Sequence, residues 1–196
     1  MVAGHFGIAQ LGKGVRREIP FALLVVAAYL PDLVRLPLSV TIDRFEIWSH
    51  SILIVVAMGL ILGILWLLRG GSWVAALVLA AACALHWPAD VFTGCKPTTF
   101  SGPWLGLVSY RRPVNDLLLE GALLVGGWLF VRRRGFAIGK KWLLIGATVQ
   151  LAFLLSTYWE AQFIIGQREW VWHPSQSLLP ERQELEATVC RPKEPS

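Results

Sequence analysis

The chain has 196 residues, of which 55% are hydrophobic and 16% are charged, and its net charge is +5. Soluble domains are about a quarter charged, so this composition excludes an ordinary soluble domain and indicates a polytopic membrane protein. The basic residues stand in short clusters between apolar blocks, which is typical of membrane orientation rather than of nucleic-acid binding. We predict one membrane domain over residues 1–160 and a polar tail, residues 161–196, that is partly disordered.

Apolar runs in chain order predict an all-α integral membrane protein with about five transmembrane helices. A spanning helix needs about 20 mostly apolar residues. The runs that meet or approach this length are residues 19–36, 50–68, 72–92, 114–131 and 142–159. Residues 1–11 are too short to span, and we expect them to form a half-helix or re-entrant segment beside the first span. Residues 93–113 are rich in Gly, Pro and Thr, and they predict an ordered loop.

Lysine and arginine concentrate in three places between these runs, which are residues 13–17, Arg69 and residues 132–141. In a five-span chain all three fall on the same side of the membrane. The positive-inside rule assigns that side to the cytoplasm. The opposite ends of the predicted helices therefore face outward.

Ionisable side chains recur at the outward ends of the predicted spans. Asp32 ends the first span, His50 opens the second, and His86 and Asp90, four residues apart on one helical face, end the third. His5 reaches the same depth if the N-terminal half-helix rises beside the first span, since a helix rises about 1.5 Å per residue. Such groups are costly in a membrane and usually line a functional cavity. We predict that these five residues hold a divalent metal ion, with Zn²⁺ as the first choice and Mn²⁺ or Fe as alternatives. Taken singly, each also fits a plainer role as a hydrogen-bonded core residue or a helix end.

Further charged residues precede and open the fourth span. Asp116 and Glu120 share one helical face, and they are candidates for proton transfer at the site. Glu120 also suits the acceptor of a hydrogen bond from a ligating histidine. Arg111 and Arg112 suit a substrate phosphate, because a guanidinium binds phosphate oxygens through two bonds. The simpler interpretations are an ion pair of Glu120 with one of these arginines, and an arginine pair that anchors the chain at the membrane interface.

Several of these motifs together resemble a known family. Gly4-His5-Phe6, Asp32, Trp48-Ser49-His50-Ser51, and His86-Trp87 with Asp90 resemble, in this order, the bacterial membrane-bound metal-dependent hydrolases over residues 1–131. The resemblance implies a bacterial inner-membrane protein that spans the membrane several times. It also implies a hydrolytic activity and the same five metal-site residues.

The function that we predict is hydrolysis of a lipid ester or phosphoester at the outer side of the inner membrane, with the bilayer and a lipid as partners. Longer members of the family show a Pro-Asp-x-Asp motif, whereas Pro31-Asp32-Leu33-Val34 holds one acid, so a mononuclear site or a site without catalysis stays open. Two other classes of function use the same polar groups. A transporter would relay protons or pass a metal ion through them, and a non-catalytic membrane scaffold would use them to hold its helices together.

Overall fold

The computed structural model describes residues 3–38, 49–94, 96–99, 104–106, 113–136, 141–142, 144–148 and 151–152. Within these residues the chain forms an all-α fold of six helices with one short antiparallel ribbon. The elements are α1 (Ala3–Val15), α2 (Phe21–Leu38), α3 (Ile52–Leu68), α4 (Trp73–Ala84), α5 (His86–Thr93), β1 (Lys96–Pro97), β2 (Trp104–Leu105) and α6 (Pro113–Arg133). Residues 141–142, 144–148 and 151–152 are also helical, at the place of the predicted fifth span. The rest of that span and the tail, residues 161–196, lie outside the described residues.

The third apolar run forms two helices, where the sequence predicted one. α4 ends at Ala84 and α5 begins at His86, with Leu85 between them. Pro88 explains the division, because it has no amide hydrogen and its ring clashes with the carbonyl of Ala84 four residues earlier in a continuous helix. The break sets His86 at the first position of a short helix, where its side chain is buried.

The N-terminal segment is longer than expected, and it is the most enclosed helix of the fold. α1 continues through Lys13 to Val15, where the sequence predicted a polar break from residue 13 onward. The ammonium of Lys13 donates to the carbonyl oxygens of Arg17 and Ile19 at 2.7 and 2.8 Å, which satisfies main-chain acceptors beyond the helix end. All residues from Gly4 to Gln10 are buried, so α1 lies inside the bundle.

Glycines let α1 approach α6 closely. Gly7 lies directly against the main chain of Leu123 in α6. From the other side, a methyl group at Gly127 would lie 2.7 Å from the carbonyl oxygen of Gly7. This contact fixes α1 within the bundle and with it the depth of His5.

α3 and α4 pack through small residues, and α3 presents a large apolar surface on its other side. A methyl group at Gly59 would lie 2.6 Å from the Ala80 carbonyl oxygen, and one at Gly63 would lie 3.0 Å from that of Ala76. Small residues four apart are typical of helix pairs in membranes. Six of the large apolar side chains of α3 are at least half exposed, namely Leu53, Leu60, Ile61, Ile64, Leu65 and Leu68.

One stretch of the described residues, Trp73–Thr93, is long and apolar enough to cross a membrane. It comprises α4 and α5 together. Phe21–Val34 and Ile52–Leu68 are apolar helices of shorter length.

The loops that carry the basic residues lie together at one end of the helices. Ser72 donates from Oγ to Oε1 of Glu18 at 3.0 Å, and Arg17 donates from Nη2 to the carbonyl oxygen of Arg134 at 3.1 Å. The main-chain amide of Glu18 and the Ser72 hydroxyl hold the pKa of Glu18 below its ordinary value. These bonds join the α1–α2 connection to the α3–α4 connection and to the end of α6.

Candidate metal centre

The structure brings the five predicted metal-site residues together at the other end of the helices. Asp32, His50, His86 and Asp90 each offer one ligand atom, and these four atoms lie within 4.8 Å of one another. Nε2 of His50 lies 3.0 Å from Oδ1 of Asp32, and Nε2 of His86 lies 3.3 Å from Oδ2 of Asp90. His5 lies beside this group, with Nε2 3.6 Å from Oδ1 of Asp90. Helices α1, α2 and α5 and the residues before α3 therefore converge on one cluster.

The cluster is buried except at Asp32. The side chains of His5 and His86 are 0% exposed, and that of Asp90 is 4% exposed. The side chain of Asp32 is 35% exposed, so of these five residues it is the one through which the cluster is open to solvent.

A main-chain carbonyl sets the orientation of the His86 ring. Nδ1 of His86 lies 2.8 Å from the carbonyl oxygen of Ala28, and because a carbonyl accepts, Nδ1 carries the hydrogen. The Nε2 lone pair of His86 is therefore directed at the carboxylates of Asp32 and Asp90, at 3.8 and 3.3 Å. A hydrogen bond of this kind typically orients a ligating histidine.

Ser49 occupies the equivalent place for His50. Its Oγ lies 2.8 Å from Nδ1 of His50, and Nε2 on the far side of the ring faces Asp32 at 3.0 Å and Asp90 at 3.6 Å. Both histidines thus use Nδ1 for orientation and direct Nε2 into the same space.

The donor atoms of the cluster fit a divalent metal ion. Both ring nitrogens of His5, and Nε2 of His86, are buried and make no hydrogen bond within the described part of the chain. A buried polar atom left in this way costs about 1–3 kcal/mol. A cation placed between the two carboxylates would satisfy Nε2 of His86 and could also bind Nε2 of His5, which lies 3.6 Å from Oδ1 of Asp90. Imidazole and carboxylate donors together suit Zn²⁺, Mn²⁺ and Fe.

Lys96 belongs to the site, although the sequence did not single it out. Its Nζ lies 3.2 Å from Oδ2 of Asp90, and its side chain is only 15% exposed. In the sequence it was one of several basic residues in the segment expected to be a loop. The ribbon that brings it to α5 pairs Lys96 with Leu105, and this pairing has no local signal in the sequence around Lys96.

Of the remaining predicted site residues, the structure describes the side chain of Glu120 but not those of the others. Glu120 is fully buried, and its Oε2 accepts a hydrogen bond of 3.2 Å from the amide of Gly4, the residue before His5. Glu120 therefore holds the start of α1, where a carboxylate also interacts favourably with the helix dipole. Asp116 lies in α6, but its side chain is not among those described. Arg111 and Arg112 lie outside the described residues, so their predicted contacts with phosphate or with Glu120 stay predictions.

No protein-family model matches the chain, and no curated protein or solved structure matches it. The resemblance to membrane-bound metal-dependent hydrolases therefore rests on the sequence motifs. His5, Asp32, His50, His86 and Asp90, which carry that resemblance, are the residues that lie together in the structure.

Proposed function

We propose that the protein is a membrane-embedded, metal-dependent hydrolase that acts on a lipid ester or phosphoester at the outer side of the bacterial inner membrane. The observation that carries the proposal is the cluster of Asp32, His50, His86 and Asp90, whose four ligand atoms lie within 4.8 Å of one another. Buried ionisable groups of this density are costly in a membrane protein and usually serve a function.

Asp32, His50, His86 and Asp90 would hold the metal ion, with His5 as a further ligand or as a hydrogen-bond partner of Asp90. When bound, a divalent ion activates water and polarises the scissile group. The carbonyl of Ala28 and the hydroxyl of Ser49 keep two imidazoles oriented.

Other residues of the chain have supporting roles in the proposal. Glu120 fixes the start of α1 and so keeps His5 at the cluster. Asp116, one turn earlier on the same helix, is the candidate for proton transfer, and Arg111 and Arg112 are the candidates for binding phosphate oxygens.

The membrane placement in this proposal uses five spans. They are α2, α3, α4 with α5, α6, and the helix that includes residues 144–148, and α1 is enclosed among them. The apolar exterior of α3, the Gly59 contact with α4, and the length of Trp73–Thr93 support this placement. The joined basic loops would face the cytoplasm and the cluster would face outward.

Lipid turnover by the purified protein in nanodiscs tests the proposal. We expect release of a lipid hydrolysis product that stops on chelation, returns with added Zn²⁺, and is lost in Asp90→Ala. Turnover that is indifferent to chelation would contradict the proposal. Proton or metal-ion flux in proteoliposomes without lipid turnover would instead indicate a transporter.

A further inference from the structure

The ammonium of Lys96 contacts Asp90, the more buried of the two carboxylates of the cluster. Nζ of Lys96 lies 3.2 Å from Oδ2 of Asp90. The same oxygen lies 3.3 Å from Nε2 of His86 and 3.6 Å from Nε2 of His50. The positive charge of Lys96 therefore lies next to Oδ2 of Asp90, the same oxygen that Nε2 of His86 and Nε2 of His50 face.

The backbone around Lys96 is held by three separate contacts. Lys96 pairs with Leu105 across the ribbon of β1 and β2. The indole Nε1 of Trp87 in α5 donates to the carbonyl oxygen of Pro97 at 3.0 Å, and the amide of Ile52 at the start of α3 donates to that of Thr98 at 3.2 Å. The ribbon is thus fixed to α5, which carries His86 and Asp90, and to the start of α3, two residues after His50. Lys96 is therefore held in place at the cluster.

This position has a physical cost for metal binding. An ammonium and a divalent cation that share one carboxylate repel each other, and the repulsion is strong where water is largely excluded. A lysine that only balanced the charge of Asp90 would stabilise the metal-free fold, but it would lower the affinity of the site for a metal ion. Two cations held side by side do, however, create a place where an anionic oxygen is strongly stabilised.

We propose that Lys96 binds an anionic oxygen of the substrate at the metal site, and that the substrate is accordingly a phosphoester rather than a neutral carboxylic ester. The inference rests on the proposed hydrolytic function. In the reaction water adds across the phosphorus–oxygen bond of the ester. Its oxygen goes to phosphorus and a proton goes to the departing alcohol. Lys96 acts through its charge and its hydrogen bonds alone.

Lys96→Met tests the inference, with Lys96→Arg as the charge-conserving variant and Arg69→Met as a control at the exposed far end of α3. The probes are Zn²⁺ for binding, phosphatidic acid with phosphate release as the measure of turnover, and diacylglycerol with fatty-acid release as the measure of turnover. We expect Lys96→Met to bind Zn²⁺ as tightly as wild type or more tightly. Its kcat/KM on phosphatidic acid should fall about 100-fold, as for loss of one donor to a developing oxyanion. Lys96→Arg should keep part of the activity, and Arg69→Met all of it.

Several results would overturn the inference while the hydrolase proposal stands. They are weaker Zn²⁺ binding in Lys96→Met, unchanged turnover of phosphatidic acid, or a wild type that hydrolyses diacylglycerol but not phosphatidic acid. Inorganic phosphate gives a test that needs no variant, because it should inhibit the wild type competitively. Absence of that inhibition also overturns the inference. A wild type that binds none of Zn²⁺, Mn²⁺ and Fe²⁺ removes the proposed function itself.

Discussion

Nδ1 of His86 donates to the carbonyl oxygen of Ala28 over 2.8 Å, and this single bond directs the other ring nitrogen, Nε2, at the carboxylates of Asp32 and Asp90. The acceptor lies in α2, one turn before Asp32, so the helix that supplies one proposed ligand also orients another. Because this bond already holds the imidazole in place, His86 needs to rearrange less when a metal ion binds.

Ser49→Ala should weaken Zn²⁺ binding without removing a proposed ligand. The hydroxyl lies 2.8 Å from Nδ1 of His50, and loss of such an orienting partner typically costs 10- to 100-fold in metal affinity, that is, about 1.4–2.7 kcal/mol. Competition titration against a chelator of known affinity measures the change. Ser72→Ala is the control, because Ser72 caps α4 at the opposite end and should leave Zn²⁺ affinity unchanged. Equal affinities of wild type and Ser49→Ala would contradict the orienting role.

The neighbouring glycines of α6 offer a matched pair for the packing of α1. A methyl group at Gly127 would lie 2.7 Å from the Gly7 carbonyl oxygen, whereas one at Gly126 would meet nothing within 4 Å. Gly127→Ala should lower the free energy of unfolding by about 1–3 kcal/mol through overpacking. Gly126→Ala should be neutral or stabilise by up to about 1 kcal/mol, because alanine is the better helix former. Thermal unfolding in detergent compares the two, and equal melting temperatures would show that α1 does not contact α6 here.

Glu120→Ala should destabilise the protein more than Glu120→Gln does. The carboxylate accepts from the amide of Gly4, and its removal leaves a buried donor without that acceptor, at about 1–3 kcal/mol. The amide oxygen of glutamine can still accept. Denaturant or thermal unfolding measures the difference. A larger loss in Glu120→Gln than in Glu120→Ala would contradict the capping role.

Labelling of introduced cysteines in intact cells tests the orientation. Arg69→Cys and Arg133→Cys lie at the end of the joined basic loops, and Thr99→Cys lies at an exposed position on the side of the cluster. In a background with Cys95 and Cys190 replaced, a membrane-impermeant maleimide should label only Thr99→Cys from outside. Cys83 is buried and should not react. Labelling of Arg69→Cys from outside would invert the proposed topology.

The sequence was sufficient for the parts of the site that depend on helix geometry and depth. His86 and Asp90 lie one helical turn apart, and their spacing alone placed them together. The depth of His5 followed from the rise of a helix that had to pack beside its neighbour. The helix break at Leu85 could also have been predicted from the sequence, because Pro88 cannot continue α4.

The rest of the site depends on long-range contacts that have no local signature. Glu120 meets Gly4 across 116 positions of the chain, and His86 meets Ala28 across 58. The acceptor in the second pair is a main-chain carbonyl, and because every residue has one, the identity of Ala28 does not indicate this role. Lys96 reaches Asp90 through a ribbon of two-residue strands, too short to have a period-two pattern.

The metal content of the purified protein, after incubation with Zn²⁺ and removal of excess ion, tests the central claim most directly. We predict one tightly held ion per wild-type chain and a marked loss in His86→Ala and in Asp90→Ala, with helical content by circular dichroism unchanged. Wild-type protein that is folded but retains no stoichiometric metal would contradict the account.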